Sequence, residues 1–364
     1  MYVSPMRARA RPAMMCSMIT ARTLTDGGQR PQEIATEVAA FLDAAERSLD
    51  LALYDLDLGP ETEGLVIGAL EAAARRGVAV RLVFNVDHRG PIPVPPPPKC
   101  KPEDVERLSV PTRGVAGVPD LMHHKFCVRD RRTVWTGSTN WTDDSWSREE
   151  NVIVTVESEE LGEAYALAFQ QLWEAGEVAQ AGRVEPRPVQ VGETLVRPWF
   201  CPGFGDSLSR RVAKAIGRAR RRVRVSSPVI SAAPILATLA QLASDGKVDV
   251  AGCVDQTQLG QVVSQWQASG VSAWKVPLLR CLLEQAPFSG KRSSEWQPGA
   301  VHDYMHAKVT VADDVVFCGS FNLSHSGERN AEDMLEIHDA ALAEKLASYV
   351  DAVRGRYPPA RLPP

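Results

Sequence analysis

A set of polar residue types occurs twice in this chain, in the same order, and this repeat limits the possible folds more than any other feature. Each copy has Met-His-x-Lys, an Asp five positions after the Lys, and then Gly-Ser-x-Asn. The copies begin at Met122 and Met305. From His to Gly is 14 positions in the first copy and 13 in the second, and an acidic residue follows each Asn by 10 positions (Glu150 and Glu332). Ordered agreement of this kind predicts a duplicated domain.

The spacing inside each copy predicts a strand that presents its His and its Lys together. Segments 125–128 and 308–311 are rich in β-branched and apolar residues, which favours strands. Because alternate residues of a strand share a face, His123 projects with Lys125, and His306 projects with Lys308. His124 points the other way, so we expect it to be a packing residue. In each copy a second strand then leads into Gly-Ser-x-Asn.

Each copy therefore brings an imidazole, an ammonium, a hydroxyl and a carboxamide to neighbouring strand ends. Such a group of donors suits a phosphate on which negative charge develops. Neither copy has the cluster of carboxylates that Mg²⁺ or Ca²⁺ needs, so we expect no metal and no cofactor. Asp130 and Asp313 are interpreted as structural residues that bind turn amides or a neighbouring cation, outside the site.

Taken singly, the pieces have ordinary structural explanations. A His-x-Lys pair on a strand is usually a surface pair, and Gly-Ser-x-Asn is usually a turn. His88, His302, His325 and His338 have no counterpart in the other copy and are interpreted as packed or solvated residues. The duplication is what separates the motif residues from these alternatives.

The remaining sequence predicts strands that alternate with helices in both halves, which is typical of an α/β architecture. The predicted strands are 48–54, 78–86, 222–226 and 248–254, and the predicted helices are 61–76, 160–174, 234–244 and 340–354. In such sheets sites form at strand ends, so we expect the two copies to face each other across a pseudo-twofold axis.

The paired motifs resemble the HKD motifs of the phospholipase D superfamily, and the chain is similar to a two-domain member. The resemblance implies an α/β fold of two similar domains, each a mixed β-sheet flanked by helices, with the active site between them. It also implies a phosphodiesterase that works through a phosphohistidine: one imidazole attacks phosphorus, and the other protonates the leaving alkoxide and then activates water or an alcohol.

The resemblance also implies roles for individual residues. We assign His123 as the nucleophile and His306 as the general acid. The residues expected to hold the non-bridging oxygens are Lys125, Lys308, Asn140 and Asn322, with Ser138 and Ser320 nearby. Glu150 and Glu332 match the acidic position that follows the motif in the family, and each is expected to fix the tautomer of a catalytic imidazole. A catalytically inactive binding module is the alternative class.

Several features bear on the substrate. The Gly-Ser-x-Asn segments resemble those of nuclease-type members, so nucleic acid is favoured over phospholipid, with a phospholipase D or transphosphatidylase as the alternative. The net charge of −4 excludes a generally basic polyanion-binding protein, but basic residues are dense between Arg210 and Arg224. Trp266, Trp274 and Trp296 are candidates for stacking on bases, for the core or for a lipid interface.

We expect a disordered tail at 1–28, a first domain at 29–180, a linker at 181–197 and a second domain at 198–364. The linker is predicted from its Gly, Pro and polar residues. A proline-rich surface loop is expected at 90–99. The odd number of cysteines, seven, and the lack of a signal-peptide or membrane-spanning run predict a cytoplasmic protein with reduced thiols. A monomer is expected because both half-sites lie in one chain.

Overall fold

The computed structural model describes residues 18–86, 105–116, 120–295, 297 and 300–362. The predictions for the first 17 residues, for His88, for the proline-rich loop and for Trp296 concern positions outside these ranges.

The first half of the chain forms a seven-stranded mixed sheet in the order β1-β9-β7-β6-β2-β4-β5, and β3 pairs with β8 beside it. The strands are β1 (Ile19–Leu24), β2 (Ser48–Leu53), β3 (Leu56–Asp57), β4 (Ala79–Val86), β5 (Thr112–Ala116), β6 (Lys125–Arg129), β7 (Thr133–Gly137), β8 (Trp141–Thr142) and β9 (Asn151–Glu157). The motif strands β6 and β7 pair with each other, as the sequence predicts.

The second half forms an eight-stranded mixed sheet in the order β10-β11-β17-β16-β15-β12-β13-β14. Its strands are β10 (Val189–Val191), β11 (Thr194–Cys201), β12 (Arg222–Ser226), β13 (Asp249–Asp255), β14 (Phe288–Lys291), β15 (Val309–Ala312), β16 (Val315–Gly319) and β17 (Glu332–His338). The antiparallel strands β15 and β16 carry the second motif and correspond to β6 and β7.

Ten α-helices occur among the described residues, and several of them begin or end at ordinary capping signals. They are α1 (Pro31–Asp43), α2 (Pro60–Arg75), α3 (Asp143–Ser147), α4 (Glu159–Ala175), α5 (Gly205–Arg218), α6 (Ala233–Asp245), α7 (Gln256–Ser269), α8 (Lys275–Gln285), α9 (His325–Arg329) and α10 (Ala340–Arg356). For example, the Ser158 side chain accepts from the N–H of Leu161 at the start of α4, and Gly176 ends that helix at φ 69°.

One apolar core lies between the two sheets and joins the halves. It contains inward-facing residues of both sheets together with the equivalent helices α4 and α10. Separate cores lie on the outer faces, under α1 and α2 in the first half and under α5 and α6 in the second. The two mixed sheets flanked by helices confirm the expected fold class.

The domain boundaries differ from the expectation in two places. Ile19–Leu24, inside the expected tail, forms strand β1 because it pairs antiparallel with β9 along its whole length. Residues 189–191 and 194–197 of the expected linker also join a sheet, since β10 pairs with β11 and β11 pairs with β17. Backbone hydrogen bonding by these residues outweighs the Gly and Pro content on which the linker prediction depends.

Asp130 and Asp313 lie in equivalent tight turns, at the ends of β6 and β15 that are remote from the two histidines. Both have positive φ, 56° and 52°. The carboxylate of Asp130 accepts hydrogen bonds from the backbone N–H groups of residues 46–48, and that of Asp313 from those of residues 220–222. These contacts confirm that both aspartates bind turn amides.

Candidate active site

The two motifs meet where the halves of the chain hydrogen-bond to each other through their backbones. The N–H of His123 donates to the carbonyl of Ala331, at 2.9 Å. The N–H of His306 donates to the carbonyl of Glu150, at 3.1 Å. The two bonds are related by the pseudo-twofold axis, so each histidine is anchored by the opposite half.

The two imidazoles face each other at this junction. The ring centroids of His123 and His306 are 6.5 Å apart and the ring planes lie at 81°. Both side chains are buried, with 6% and 8% of the residue surface exposed. At this separation, a single tetrahedral phosphorus placed between the rings can be reached by both of them.

The ring of His123 is held by a carboxylate of the second half. Its Nδ1 lies 2.8 Å from Oε2 of Glu332, a fully buried residue at the start of β17. The other oxygen of Glu332 accepts from the side-chain amide of Asn330, at 3.2 Å. The pair occupies Nδ1 and leaves Nε2 of His123 for chemistry.

His306 has a looser carboxylate partner. Its Nδ1 lies 3.4 Å from Oε2 of Glu149, and the contact lacks hydrogen-bond geometry. That oxygen accepts instead from the hydroxyl of Ser145, at 2.6 Å, and from the side-chain amide of Asn151, at 3.0 Å. The sequence prediction did not include Glu149.

Glu150, expected to fix the tautomer of a catalytic imidazole, has other partners for its carboxylate. Its carboxylate pairs with Nζ of Lys291 at 2.9 Å and accepts a hydrogen bond from the hydroxyl of Tyr357. The ammonium of Lys291 also lies 3.3 Å from the carboxylate of Asp26. Glu150 therefore belongs to a buried ion-pair cluster that joins the halves beside the site.

Strand register explains this difference. Gly137 pairs with Ile153 in the first sheet, 16 positions on, whereas Gly319 pairs with Met334 in the second sheet, 15 positions on. The first copy thus has one extra residue after its motif, and the structural counterpart of Glu332 is Asn151. Equal counting from the Asn residues misses this one-residue offset, and a one-residue shift reverses the face of a strand residue.

The two lysines lie on the same strand face as the histidines, as predicted. Nζ of Lys125 donates to the carbonyl of His123 at 2.7 Å, and Nζ of Lys308 donates to the carbonyl of His306 at 2.6 Å. Both side chains are almost fully buried. Each ammonium has three protons, so this single bond leaves donors for a substrate oxygen.

The hydroxyls and carboxamides of Gly-Ser-x-Asn have different surroundings. The hydroxyl of Ser138 donates to the side-chain oxygen of Asn151 at 2.6 Å and accepts from the N–H of Val152, while that of Ser320 accepts from the N–H of Asp333 at 2.9 Å. These bonds tie each motif loop to the following strand. Asn140 and Asn322 have buried side-chain oxygens without a partner among the described residues, so those oxygens do not hold the loops in place.

Burial and the two lysines control protonation at the site. Burial lowers the pKa of His123 and of His306 well below the ordinary value, and both ammonium groups lower it further. Burial also lowers the pKa of Lys125 to about 8, and it raises the pKa of Glu332 and of Glu149 to about 7. A buried carboxyl whose pKa lies near neutrality therefore stands beside each ring.

His124 lies on the opposite face of β6, as predicted, and is almost completely buried. Its ring packs edge-on against Phe126 and Phe200. Its Nδ1 lies 3.1 Å from Oδ1 of Asp333, which the sequence prediction did not include.

The family is identified by its sequence model. The model described as Cardiolipin synthase, PLD-like domain matches residues 38–173 and 212–354, one segment in each half. The chain belongs to the phospholipase D-like family.

Individual relatives match shorter stretches of this PLD-like chain. Mitochondrial cardiolipin hydrolase of Homo sapiens is 30% identical over 139 residues, which cover 36% of this chain and 47% of the relative. Phospholipase D of Rickettsia felis is 28% identical over 131 residues, covering 35% of this chain and 58% of the relative. The chain thus spans about half the length of these curated relatives.

A solved structure reproduces the two-domain fold. Phosphatidylserine synthase of Haemophilus influenzae superposes with a TM-score of 0.62 over 93% of this chain and 86% of its own, at 14% identity. At that identity the likeness supports the fold alone.

The basic cluster predicted from the sequence does not border the two histidines. Backbone N–H groups of Arg220 and Arg221 bind the Asp313 turn, which lies at the end of β15 remote from Lys308. Several side chains of the basic cluster also form ion pairs with acidic residues: Arg210 with Asp206, Arg211 with Glu336, Arg221 with Asp314, Arg222 with Glu344, and Arg224 with Asp249 and Asp351. A direct role for this cluster in substrate binding at the site is not supported.

Trp266 belongs to the core of the second half, whereas Trp274 is 55% exposed. Within the described ranges, none of the helices has the length and apolar character needed to cross a membrane. The same part of the chain contains no group of three or more His, Cys, Asp or Glu residues placed to hold a metal ion.

Proposed function

We propose that this protein is a metal-independent phosphodiesterase that acts through a phosphohistidine formed on His123. The observation that carries the proposal is the pair of buried imidazoles with ring centroids 6.5 Å apart. Each ring has a lysine on its own strand and a carboxylate from the opposite half. That arrangement suits two successive displacements at a single phosphorus.

In the first step Nε2 of His123 attacks phosphorus, and the bond from phosphorus to the leaving oxygen breaks as His306 gives that oxygen a proton. In the second step water attacks the phosphohistidine, His306 takes up a proton from that water, and the bond to His123 breaks. An alcohol in place of water gives transfer instead of hydrolysis. The carboxyl of Glu149, with its pKa raised by burial to about 7, keeps a proton available to the His306 pair.

The remaining motif residues are assigned to charge stabilisation. Lys125 and Lys308, with the carboxamides of Asn140 and Asn322, hold the non-bridging oxygens as negative charge develops. Glu332 keeps the proton of His123 on Nδ1. The complete set in both halves favours an enzyme over an inactive binding module.

Nucleic acid is our first candidate for the substrate, and single strands fit best because an exposed aromatic ring can stack on unpaired bases. The support is the resemblance of Gly-Ser-x-Asn to the nuclease-type motif and the exposed ring of Trp274. Lys275, which follows Trp274, donates to the carbonyl of Ser231 beyond the end of β12, so the ring lies at the same sheet edge as the histidines.

Phospholipid is the second candidate, and a specific observation favours it. Val271, Trp274 and Val301 are among the most exposed large apolar side chains in the described ranges, at 81%, 55% and 48%. Val301 precedes His302, whose N–H binds Asp144 beside the motif loop of the first half. Apolar side chains at the edge of a site suit an interfacial substrate, and the named activities of the cardiolipin hydrolase and phospholipase D relatives point the same way.

A panel assay tests these proposals. Turnover of a bis-nitrophenyl phosphodiester by the wild-type protein, lost in His306→Ala, establishes phosphodiester cleavage at this site. Single-stranded DNA, double-stranded DNA, RNA and vesicles of phosphatidylcholine or cardiolipin are then compared at equal phosphodiester concentration. Preference for single-stranded nucleic acid supports the first candidate. Cleavage of vesicles without cleavage of nucleic acid replaces it with the second, and the rate of Trp274→Ala on vesicles then reports on interfacial binding.

A further inference from the structure

Behind His123 lies a buried polar network that joins the two halves. The carboxylate of Asp333 contacts Nδ1 of His124 at 3.1 Å and accepts hydrogen bonds from the hydroxyls of Thr136 at 2.5 Å and Tyr165 at 2.9 Å. At most about 1% of the surface of each of these four residues is exposed. Asp333 belongs to β17 of the second half, whereas its three partners belong to the first half.

The network has no counterpart across the pseudo-twofold axis. The strand registers place Val152 at the position of Asp333, Ala307 at that of His124 and Cys318 at that of Thr136. All three are buried and largely apolar. Desolvation of a carboxylate is expensive, and an apolar replacement of similar volume is often neutral or stabilising. A polar network kept on one side only therefore indicates a task specific to that side.

The geometry connects this network to the chemistry. His123 and His124 are neighbours on one segment, and Glu332 and Asp333 are neighbours on the other. Because alternate side chains point to opposite faces, the same two segments make two links, His123 to Glu332 in the site and His124 to Asp333 behind it. A shift of either segment along the other would change both distances together.

We propose that Asp333 is a positioning residue for the nucleophile: bound to His124, Thr136 and Tyr165, it fixes the segment of Glu332 against that of His123 and so holds the 2.8 Å contact between them. The proposal rests on the proposed function, since it concerns the position of the nucleophile His123 in that site. His306 has no such support, and its Nδ1 lies 3.4 Å from Glu149.

Electrostatics adds to this geometry. Burial alone would raise the pKa of Asp333, but the contacts from His124, Thr136 and Tyr165 outweigh it and hold that pKa below its usual value. The charged carboxylate opposes the effect of burial and the lysines on His123 by raising the pKa of that ring. Other titratable groups that sense Asp333 are Lys125, Cys201 and Cys318.

The test is Asp333→Asn in the full-length protein, assayed on the bis-nitrophenyl phosphodiester. We expect kcat to fall on the order of tenfold or more with little change in KM, because misplacement of a reacting group slows the chemical step. Loss of the negative charge also lowers the pKa of His123, so the acid limb of the kcat/KM profile should move to lower pH. This charge effect does not depend on positioning, so the fall in kcat relative to a control of similar thermal stability is what reports the positioning role.

Three further variants keep the test decisive if Asp333→Asn does not fold. Thr136→Val and Tyr165→Phe each remove one hydrogen bond and keep the charge, so we expect a smaller fall in kcat. Tyr349→Phe is the matched control: Tyr349 lies on α10, the counterpart of α4, and its buried hydroxyl donates to the carbonyls of Leu24 and Asn151. It should lose similar thermal stability and keep its kcat.

The outcomes separate the two proposals. If His123→Ala and His306→Ala both keep full turnover, the proposed function fails. If they are inactive but a folded Asp333→Asn has wild-type kcat, only the positioning role fails. It also fails if Asp333→Asn does not fold and the kcat values of Thr136→Val and Tyr165→Phe equal that of Tyr349→Phe.

Discussion

The two half-sites share one strand framework but hold their histidines differently. Nδ1 of His123 lies 2.8 Å from Oε2 of Glu332. Nδ1 of His306 lies 3.4 Å from Oε2 of Glu149, and this contact lacks hydrogen-bond geometry. In both, the lysine two positions on donates to the carbonyl of its histidine. The duplicated chain has thus kept the backbone contacts of the site and changed the carboxylate that orients the ring.

Acid and amide have exchanged places between the halves. By strand register Glu149 corresponds to Asn330, and Asn151 corresponds to Glu332. In each half the amide donates to the carboxylate two positions away, at 3.0 Å and 3.2 Å. Positions two apart on a strand share a face, so either position can bring an acid to the ring. Both halves therefore contain a hydrogen-bonded pair of one acid and one amide, but the acid occupies a different position of the pair in each half.

Replacement of either histidine should cause the largest fall in kcat. It tests whether the two half-sites carry out successive steps of one reaction. His123→Ala and His306→Ala should each lower kcat by a factor on the order of 10⁴ or more, and the double variant should lose little beyond either single one, because the residues act as a unit. Rapid quenching with labelled substrate should trap phosphoenzyme in wild type and none in His123→Ala. Labelled phosphoenzyme on His306 instead would reverse the assigned roles.

The exchange of acid and amide predicts a smaller, graded effect of the carboxylates. Glu332→Gln should lower kcat by roughly 10³, as expected when an orienting acid is lost, and Glu149→Gln should lower it less because its contact is longer. Glu149→Asn combined with Asn151→Glu gives the first half the arrangement of the second and should recover activity relative to Glu149→Gln. Failure of this double variant to exceed the single one would show that the positions are not interchangeable.

Glu150 is the matched control for these carboxylates, since it is equally buried but bonded to Lys291 and Tyr357. Glu150→Gln should lower the free energy of unfolding by on the order of 3 kcal/mol, because it leaves the ammonium of Lys291 with a weaker partner. Its kcat should stay close to wild type. Denaturant titration measures the first quantity, and a loss of kcat as large as that of Glu149→Gln would contradict the assignment of Glu149.

Local periodicity is sufficient to predict the strands that carry the motifs and the shared face of His123 and Lys125. These features depend on neighbours in sequence. The partner of His306 depends on how β7 pairs with β9, a register that equal spacing from Asn140 and Asn322 conceals. Asp333 was missed for a related reason, since its partners come from the other half of the chain and its counterpart is Val152.

The pH dependence of kcat/KM should show which half-site limits the active range. The pKa of the nucleophile His123 is lowered by burial, so inactivation by its protonation should occur only below pH 6.5. The ammonium groups must keep their protons to bind the substrate, and burial lowers the pKa of Lys125 to about 8 and that of Lys308 well below 10.5, so activity should fall as pH rises to about 8. Arginine keeps its proton in this range. Whichever of Lys125→Arg and Lys308→Arg moves the alkaline limb upward identifies the limiting half, and a limb near pH 10 would contradict both shifts.

Chelation should have no effect, and this expectation follows from what the two half-sites contribute jointly. Together they place two ammonium groups and two carboxamides around one phosphate position, which is the charge stabilisation that a divalent metal would otherwise give. Each nearby carboxylate already has a protein partner: Glu332 has His123 and Asn330, and Glu149 has Ser145 and Asn151. We therefore expect unchanged kcat in excess EDTA, with Lys308→Ala as the control that shows the assay responds to lost positive charge. Activity lost in EDTA and restored by Mg²⁺ or Mn²⁺ would mean that the lysines do not stabilise the transition state alone. It would contradict the proposal that the ammonium and carboxamide groups of the two halves together replace a metal ion.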